Sequence, residues 1–369
     1  MMDQLLQRIE RSEPEGVREL IGDMLTGAEQ ALEIRLSLFP LVQRVMNPPF
    51  INPHLPKMYR IVREFLPCLE EEDLKSLVRL EINEYTRRPK SAGLARPDQK
   101  IRSVSFPRIE SAIRDGDREK AAALMQAYLE QEGEVELARR LLLLGSGYLD
   151  HSLGHSLSCT AFILLEMIER RDQDPWPALG TLADYFCRGR FQNTPGLRGR
   201  TEPSPQEEPD WHLLRATSGY GVVNLHHTIT RYAIERVRHL LGDGEYDHMI
   251  TCWIDFLGSK SEETYPHLPV ACGQVVADYE SFFRCFSNGD EQTLLSSLGG
   301  LISSQEGRLR LGRYLVKGVC DRYQGNYDPH FLTGLGSALW VVERYRDRPV
   351  IAMNALSQYL NYFFTLMAG

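Results

Sequence analysis

The stretch Gly147-Tyr148-Leu149-Asp150-His151-Ser152-Leu153-Gly154-His155-Ser156 runs on into a mostly apolar segment, Leu157–Glu166. That segment reads as an α-helix with two histidines, four positions apart, at its start. If the helix begins by His151, both imidazoles leave one face about one turn apart. Such a pair can give two neutral nitrogens to one metal ion. Asp150, Ser152 and Ser156 are close enough in sequence to orient the rings by hydrogen bonds. The alternative is an ordinary helix with two partly buried histidines.

Working outward, the rest of the chain also reads as helix. Periodic apolar residues run through 3–47 until Pro48-Pro49 breaks the pattern. A helix is expected after Asn52-Pro53-His54-Leu55-Pro56, with His54 at its N-terminus and Lys57 one turn in. Further helices are expected over 72–88, 108–115, 117–131, 134–144, 176–187, 245–257, 290–302, 306–322 and 350–367. Others follow Asn224–Thr230, Pro266-His267 and Pro329-His330. Residues 90–107 and 188–210 read as loops, the second long enough for a lid. No run of alternating strands stands out. The fold class is therefore all-α, one large helical domain over 1–369, with halves 1–187 and 211–369 joined by 188–210.

Composition narrows the function classes. The 369 residues can bury a sizeable core, and 43% hydrophobic with 25% charged residues fits a soluble globular chain. A net charge of −8 without a basic block argues against nucleic acid or an anionic membrane surface as partner. No apolar run is long enough to span a bilayer, and Met1-Met2-Asp3-Gln4 lacks the basic start of a signal peptide. Seven scattered cysteines with no CxxC point to reduced, buried thiols and a cytoplasmic setting.

Six of the ten histidines stand at expected helix starts: His54, His151, His155, His227, His267 and His330. Three of them follow proline, and Pro53-His54-Leu55-Pro56 is echoed by Pro266-His267-Leu268-Pro269, which suggests duplicated helical units around a central cavity. Each could be a capping or packing residue. Their common placement favours a metal site built from facing helices. His226 is expected to point elsewhere, and His212, His239 and His248 to lie at the surface.

Imidazole suits iron, zinc, manganese, copper and nickel alike. The chain has no HExxH, Glu-x-x-His, His-Asp dipeptide, GxSxG, P-loop or GxGxxG, so nucleotide-fold and serine-hydrolase chemistry find no support. Lys57 is either a surface charge or, beside a metal, a neutral amine or a carbamate.

In order, Pro53-His54-Leu55-Pro56, Gly147–His155, His227-Thr228-Ile229-Thr230 and Pro266-His267-Leu268-Pro269 resemble the histidine motifs of the questin oxidase-like proteins over about residues 45–345. The resemblance implies an all-α fold, a histidine-ligated non-haem iron and oxidative cleavage of polycyclic aromatic ketones. It also implies ligands His54, His155, His227 and His267, with His151 as a further ligand or a ring orienter and, in some members, a modified lysine. The family's later lysine falls on Val270 here, and its acid after the second motif falls on Ala161. The expectation is a metal-dependent oxygenase acting on an aromatic or polyketide-like small molecule. Lys57, Asp150 and Tyr148 are its catalytic candidates, and His54, His151, His155, His227, His267 and His330 its metal candidates. Tyr148, Phe162, Tyr220 and Trp340 are candidates to line the substrate cavity. Iron is the expected cofactor and zinc the substitute; NADPH could supply electrons, though no motif for it is visible. The rivals are a zinc or iron hydrolase with the same ligands and a metal-free helical-repeat interaction protein.

Overall fold

The computed structural model describes the backbone of residues 1–97, 101–170, 173–188, 209–259, 278–288, 291–325 and 328–367. Twenty α-helices lie among them, with one two-stranded antiparallel ribbon, Met46–Asn47 against Phe50–Ile51. The all-α expectation holds. Pro48-Pro49 makes the ribbon's turn, where neither residue can donate a ladder hydrogen bond. The 188–210 loop and the helix start at Pro266-His267 fall mostly or wholly outside the described residues.

The chain divides into two compact units. Unit 1 comprises Met1–Arg60, Glu81–Arg200 and Ala233–Cys252; unit 2 comprises Ile61–Leu80, Thr201–Tyr232 and Trp253–Gly369.

In unit 1 the helix His54–Val62 packs beside the helix His155–Glu169. Contacts join them at successive levels: His54 with His155, Lys57 with Ser158, and Arg60 with Glu166. The two helices therefore run side by side in the same direction. Apolar flanks secure them, with Leu55, Met58, Leu157 and Phe162 fully buried. A buried ion pair, Arg35 Nε to Glu81 Oε2 at 2.8 Å, ties in the helices Ala28–Ser37 and Glu71–Arg87. The Arg35 guanidinium also donates to the Tyr59 carbonyl, and the Tyr59 hydroxyl returns a bond of 2.9 Å to the Arg35 carbonyl. Burial pushes the Glu81 carboxyl above its ordinary range, against the pull of Arg35.

One expectation fails here. No single helix carries both His151 and His155. A four-residue turn, Leu149–Ser152, ends at Leu153 (φ +51°) and Gly154 (φ +75°), and a new helix starts at His155. Two successive left-handed residues redirect the backbone, so the four-residue spacing no longer puts both rings on one face. Gly145, on the helix Glu134–Ser146, accounts for the close packing behind His155: a Cβ there would sit 2.4 Å from the Ser156 carbonyl oxygen.

In unit 2 the helix His330–Arg344 lies against the helix Pro349–Met367 and the helix Gly221–Val237. Tyr359 donates to the Phe331 carbonyl at 2.9 Å. Gln358 is buried and well satisfied: it donates to the Ala216 and Gly219 carbonyls and accepts from the Thr228 hydroxyl. These bonds fix the Gly221–Val237 helix without leaving a buried amide unpaired.

Candidate metal centre

His54 is the first residue of its helix, and the chain before it is held tightly. Asp184 accepts from the Ile51 N–H at 3.3 Å, Arg188 donates to the Ile51 carbonyl, and the Asn52 N–H donates to the Val45 carbonyl at 2.8 Å. Asn52 Oδ1 then accepts from the His54 backbone N–H at 3.0 Å and lies 3.1 Å from His54 Nδ1. An atom that accepts from the backbone is the amide oxygen, so Nδ1 carries the ring proton and Nε2 the lone pair.

Three more histidines are fixed in the same tautomer. His330 Nδ1 lies 2.6 Å from Asp328 Oδ1, which also accepts from the His330 N–H at 2.7 Å. His155 Nδ1 lies 2.6 Å from the Ser152 carbonyl, and His226 Nδ1 lies 2.6 Å from the Val222 carbonyl. Carbonyl and carboxylate oxygens only accept, so each Nδ1 donates and each Nε2 is left as a donor to a cation.

The rings come in pairs. In unit 1 the His54 and His155 centroids are 4.5 Å apart, edge to face. In unit 2 the His226 and His330 centroids are 4.7 Å apart, with the two Nε2 atoms 3.0 Å from each other. Two Nε2 lone pairs at that distance repel unless a proton or a metal ion lies between them. His54, His155 and His330 are each the first residue of their helix.

Charge around the pairs is uneven. Burial pushes the Asp328 carboxyl up, but His330, the His330 N–H and the Tyr362 hydroxyl outweigh it and hold the group below the ordinary carboxylate range. Tyr362 donates to Asp328 Oδ2 at 3.2 Å, and burial raises its own hydroxyl well out of the titrating range. One turn below His54, Lys57 is fully buried and donates to the Ser158 hydroxyl at 3.4 Å. It is not the surface charge that its residue type suggests. Next to Ser158, burial pushes the Cys159 thiol up, with Lys57 acting against it.

The remaining sequence candidates fall elsewhere. His151 is exposed on the short turn, with Asp150 beside it and Tyr148 before it. Burial raises the Tyr148 hydroxyl above its ordinary value. His227 is buried with its ring edge-on to Phe256 at 4.5 Å, while its carbonyl accepts from Trp253 Nε1 at 2.9 Å. Its neighbour His226 is the one that faces His330. His212 is buried against Trp253 rather than at the surface, whereas His239 is exposed. His267 lies outside the described residues. Among the cavity candidates, Phe162 is buried in unit 1; in unit 2 Tyr220 hydrogen-bonds Ser357 and Trp340 stacks at a tilt on Tyr232.

Sequence reasoning missed Asn52 and Asp328, although a signal for them exists: each stands immediately before a Pro-His step. Tyr265 occupies that place before Pro266-His267. No described helix is long and apolar enough to cross a membrane. No protein-family model, curated protein or solved structure matches this chain.

Proposed function

We propose that the protein is a metal-dependent oxidoreductase of the non-haem iron type, in which the oriented pairs His54–His155 and His226–His330 supply metal ligands and an aromatic or polyketide-like small molecule is the substrate. The observation that carries this reading is the shared tautomer. Each of the four rings spends its Nδ1 proton on a local oxygen, and the rings stand in facing pairs, with centroids 4.5 Å apart in unit 1 and 4.7 Å apart in unit 2. Neutral imidazoles fit a divalent first-row metal, and the hydrogen-bonded Nδ1 is the usual way such ligands are oriented.

Iron in that site would supply one-electron and oxygen chemistry. The chain's own part is to orient the rings through Asn52, Ser152 and Asp328, with the Lys57 amine held against the Ser158 hydroxyl one turn below the His54–His155 pair. The similarity of the histidine motifs to questin oxidase-like proteins is what selects iron and an aromatic substrate. The donor set alone would serve zinc and a metal-bound water equally.

Metal analysis of the purified chain, followed by oxygen consumption with ferrous ion and a hydroxylated aromatic ketone, tests the reading. Stoichiometric iron with substrate-dependent oxygen uptake is the expected result. Zinc in its place, with ester or amide hydrolysis, would move the assignment to a hydrolase. Failure to retain or rebind any divalent metal would sink both.

A further inference from the structure

The sequences Asn52-Pro53-His54 and Asp328-Pro329-His330 build the same local structure in two places. In each, the proline carbonyl accepts the first intrahelical bond, from Lys57 N at 3.3 Å and from Thr333 N at 3.0 Å. Proline's fixed φ suits this position and makes histidine the first helical residue. One oxygen of the residue before proline then accepts twice from that histidine, once from the backbone N–H and once from ring Nδ1. Both side-chain torsions of the histidine are thereby tied to the helix end. Caps elsewhere in the described chain do not reach a ring nitrogen in this way. Asp117 accepts from Lys120 N and Ser304 from Gly307 N, three residues on, and Asp174-Pro175-Trp176 repeats only the backbone half, Asp174 Oδ1 accepting from the Trp176 N–H at 3.0 Å.

We propose that Asn52 and Asp328 are positioning residues of one repeated ligand-presenting device, Asx-Pro-His, and that the carboxylate copy makes His330 a stronger metal donor than the amide copy makes His54. A carboxylate accepting the Nδ1 proton feeds electron density to Nε2, and a neutral amide does so less. Asp328 keeps its second oxygen for the Tyr362 hydroxyl, so the carboxylate is fixed at both ends. The affinity part of this proposal rests on the metal reading above; the ring-locking part stands without a metal.

The test uses the full-length chain, labelled with 15N, and Co2+ as probe. Long-range proton–nitrogen spectra of the metal-free protein read the tautomer of each ring. Wild type is expected to show His54 and His330 as single Nδ1–H tautomers. Asn52→Ala and Asp328→Ala should each mix the tautomers of their own histidine and weaken Co2+ binding about 10- to 100-fold. Asp328→Asn and Asn52→Asp keep an oxygen in place and guard against misfolding of the alanine variants. Both should keep the single tautomer, the first binding Co2+ more weakly than wild type and the second at least as tightly, with opposite shifts in the cobalt visible spectrum. Unchanged tautomers in both alanine variants would overturn the positioning role. Equal affinity of Asp328→Asn and wild type would overturn the inequality. If wild type binds no Co2+ while the tautomer results hold, the metal reading fails and the ring-locking device survives.

Discussion

The helix start at His54 and the helix start at His330 share their first three residues in kind and diverge below them. One turn in, the first carries Lys57 and the second Thr333, both fully buried. The ring facing His54 is His155, delivered by a left-handed turn and fixed by the Ser152 carbonyl. The ring facing His330 is His226, delivered from the second turn of a buried helix and fixed by the Val222 carbonyl. A neutral amide backs one leading histidine and a carboxylate the other. The lesson is that orienting an imidazole needs only one well-placed oxygen, while the charge on that oxygen and the residue a turn below remain free to differ. The Lys57 side brings a buried amine close to its pair, and the Asp328 side brings a part-buried carboxylate.

The comparison can be broken at the ligands themselves. His54→Ala and His330→Ala should each lower metal retention, read by metal analysis, with far-ultraviolet circular dichroism unchanged. If only one does, the two helix starts are not equivalent ligand presenters. A smaller effect is expected behind His155. Gly145→Ala puts a Cβ against the Ser156 carbonyl and should cost about 1–3 kcal/mol in denaturant unfolding. It should also weaken metal binding, because the His155 helix must move. An unchanged affinity would mean that the position of His155 does not matter.

Below that lies a difference between Lys57 and Thr333. The Thr333 hydroxyl finds no hydrogen-bond partner among the described residues. Thr333→Val should therefore raise stability by about 1 kcal/mol, measured by urea unfolding. A loss of similar size would show that the hydroxyl is satisfied by something in solution. The smallest effect concerns the shared proline. Pro53→Ala and Pro329→Ala should each cost about 0.4–1 kcal/mol through the freer unfolded chain, with metal affinity nearly intact.

Much of the fold is legible from apolar periodicity, because most of these helices have one buried and one wet face. The exceptions are physical. His155–Glu169 and Gly221–Val237 are buried almost all round, so no polar stripe fixes their rotational phase. This is why His227 reads as the ligand candidate when His226 holds the position. His151 reads as the partner of His155 only if the helix is continuous, and Leu153-Gly154 breaks it. The Pro-His-Leu-Pro match draws attention to the residues after histidine, whereas the orienting atom belongs to the residue before proline. Lys57 stays open between surface and site for a simpler reason: burial of a lysine cannot be inferred from its type.

The central claim is that the oriented pairs His54–His155 and His226–His330 supply metal ligands. Titrating metal-free protein with Co2+ and following its visible absorption tests this most directly. The account predicts saturable binding, with ligand-field bands characteristic of nitrogen donors, and weakened binding in each of the alanine variants of His54, His155 and His330. Absence of saturable binding in the wild type, or a full-strength site in any of the variants, would contradict it.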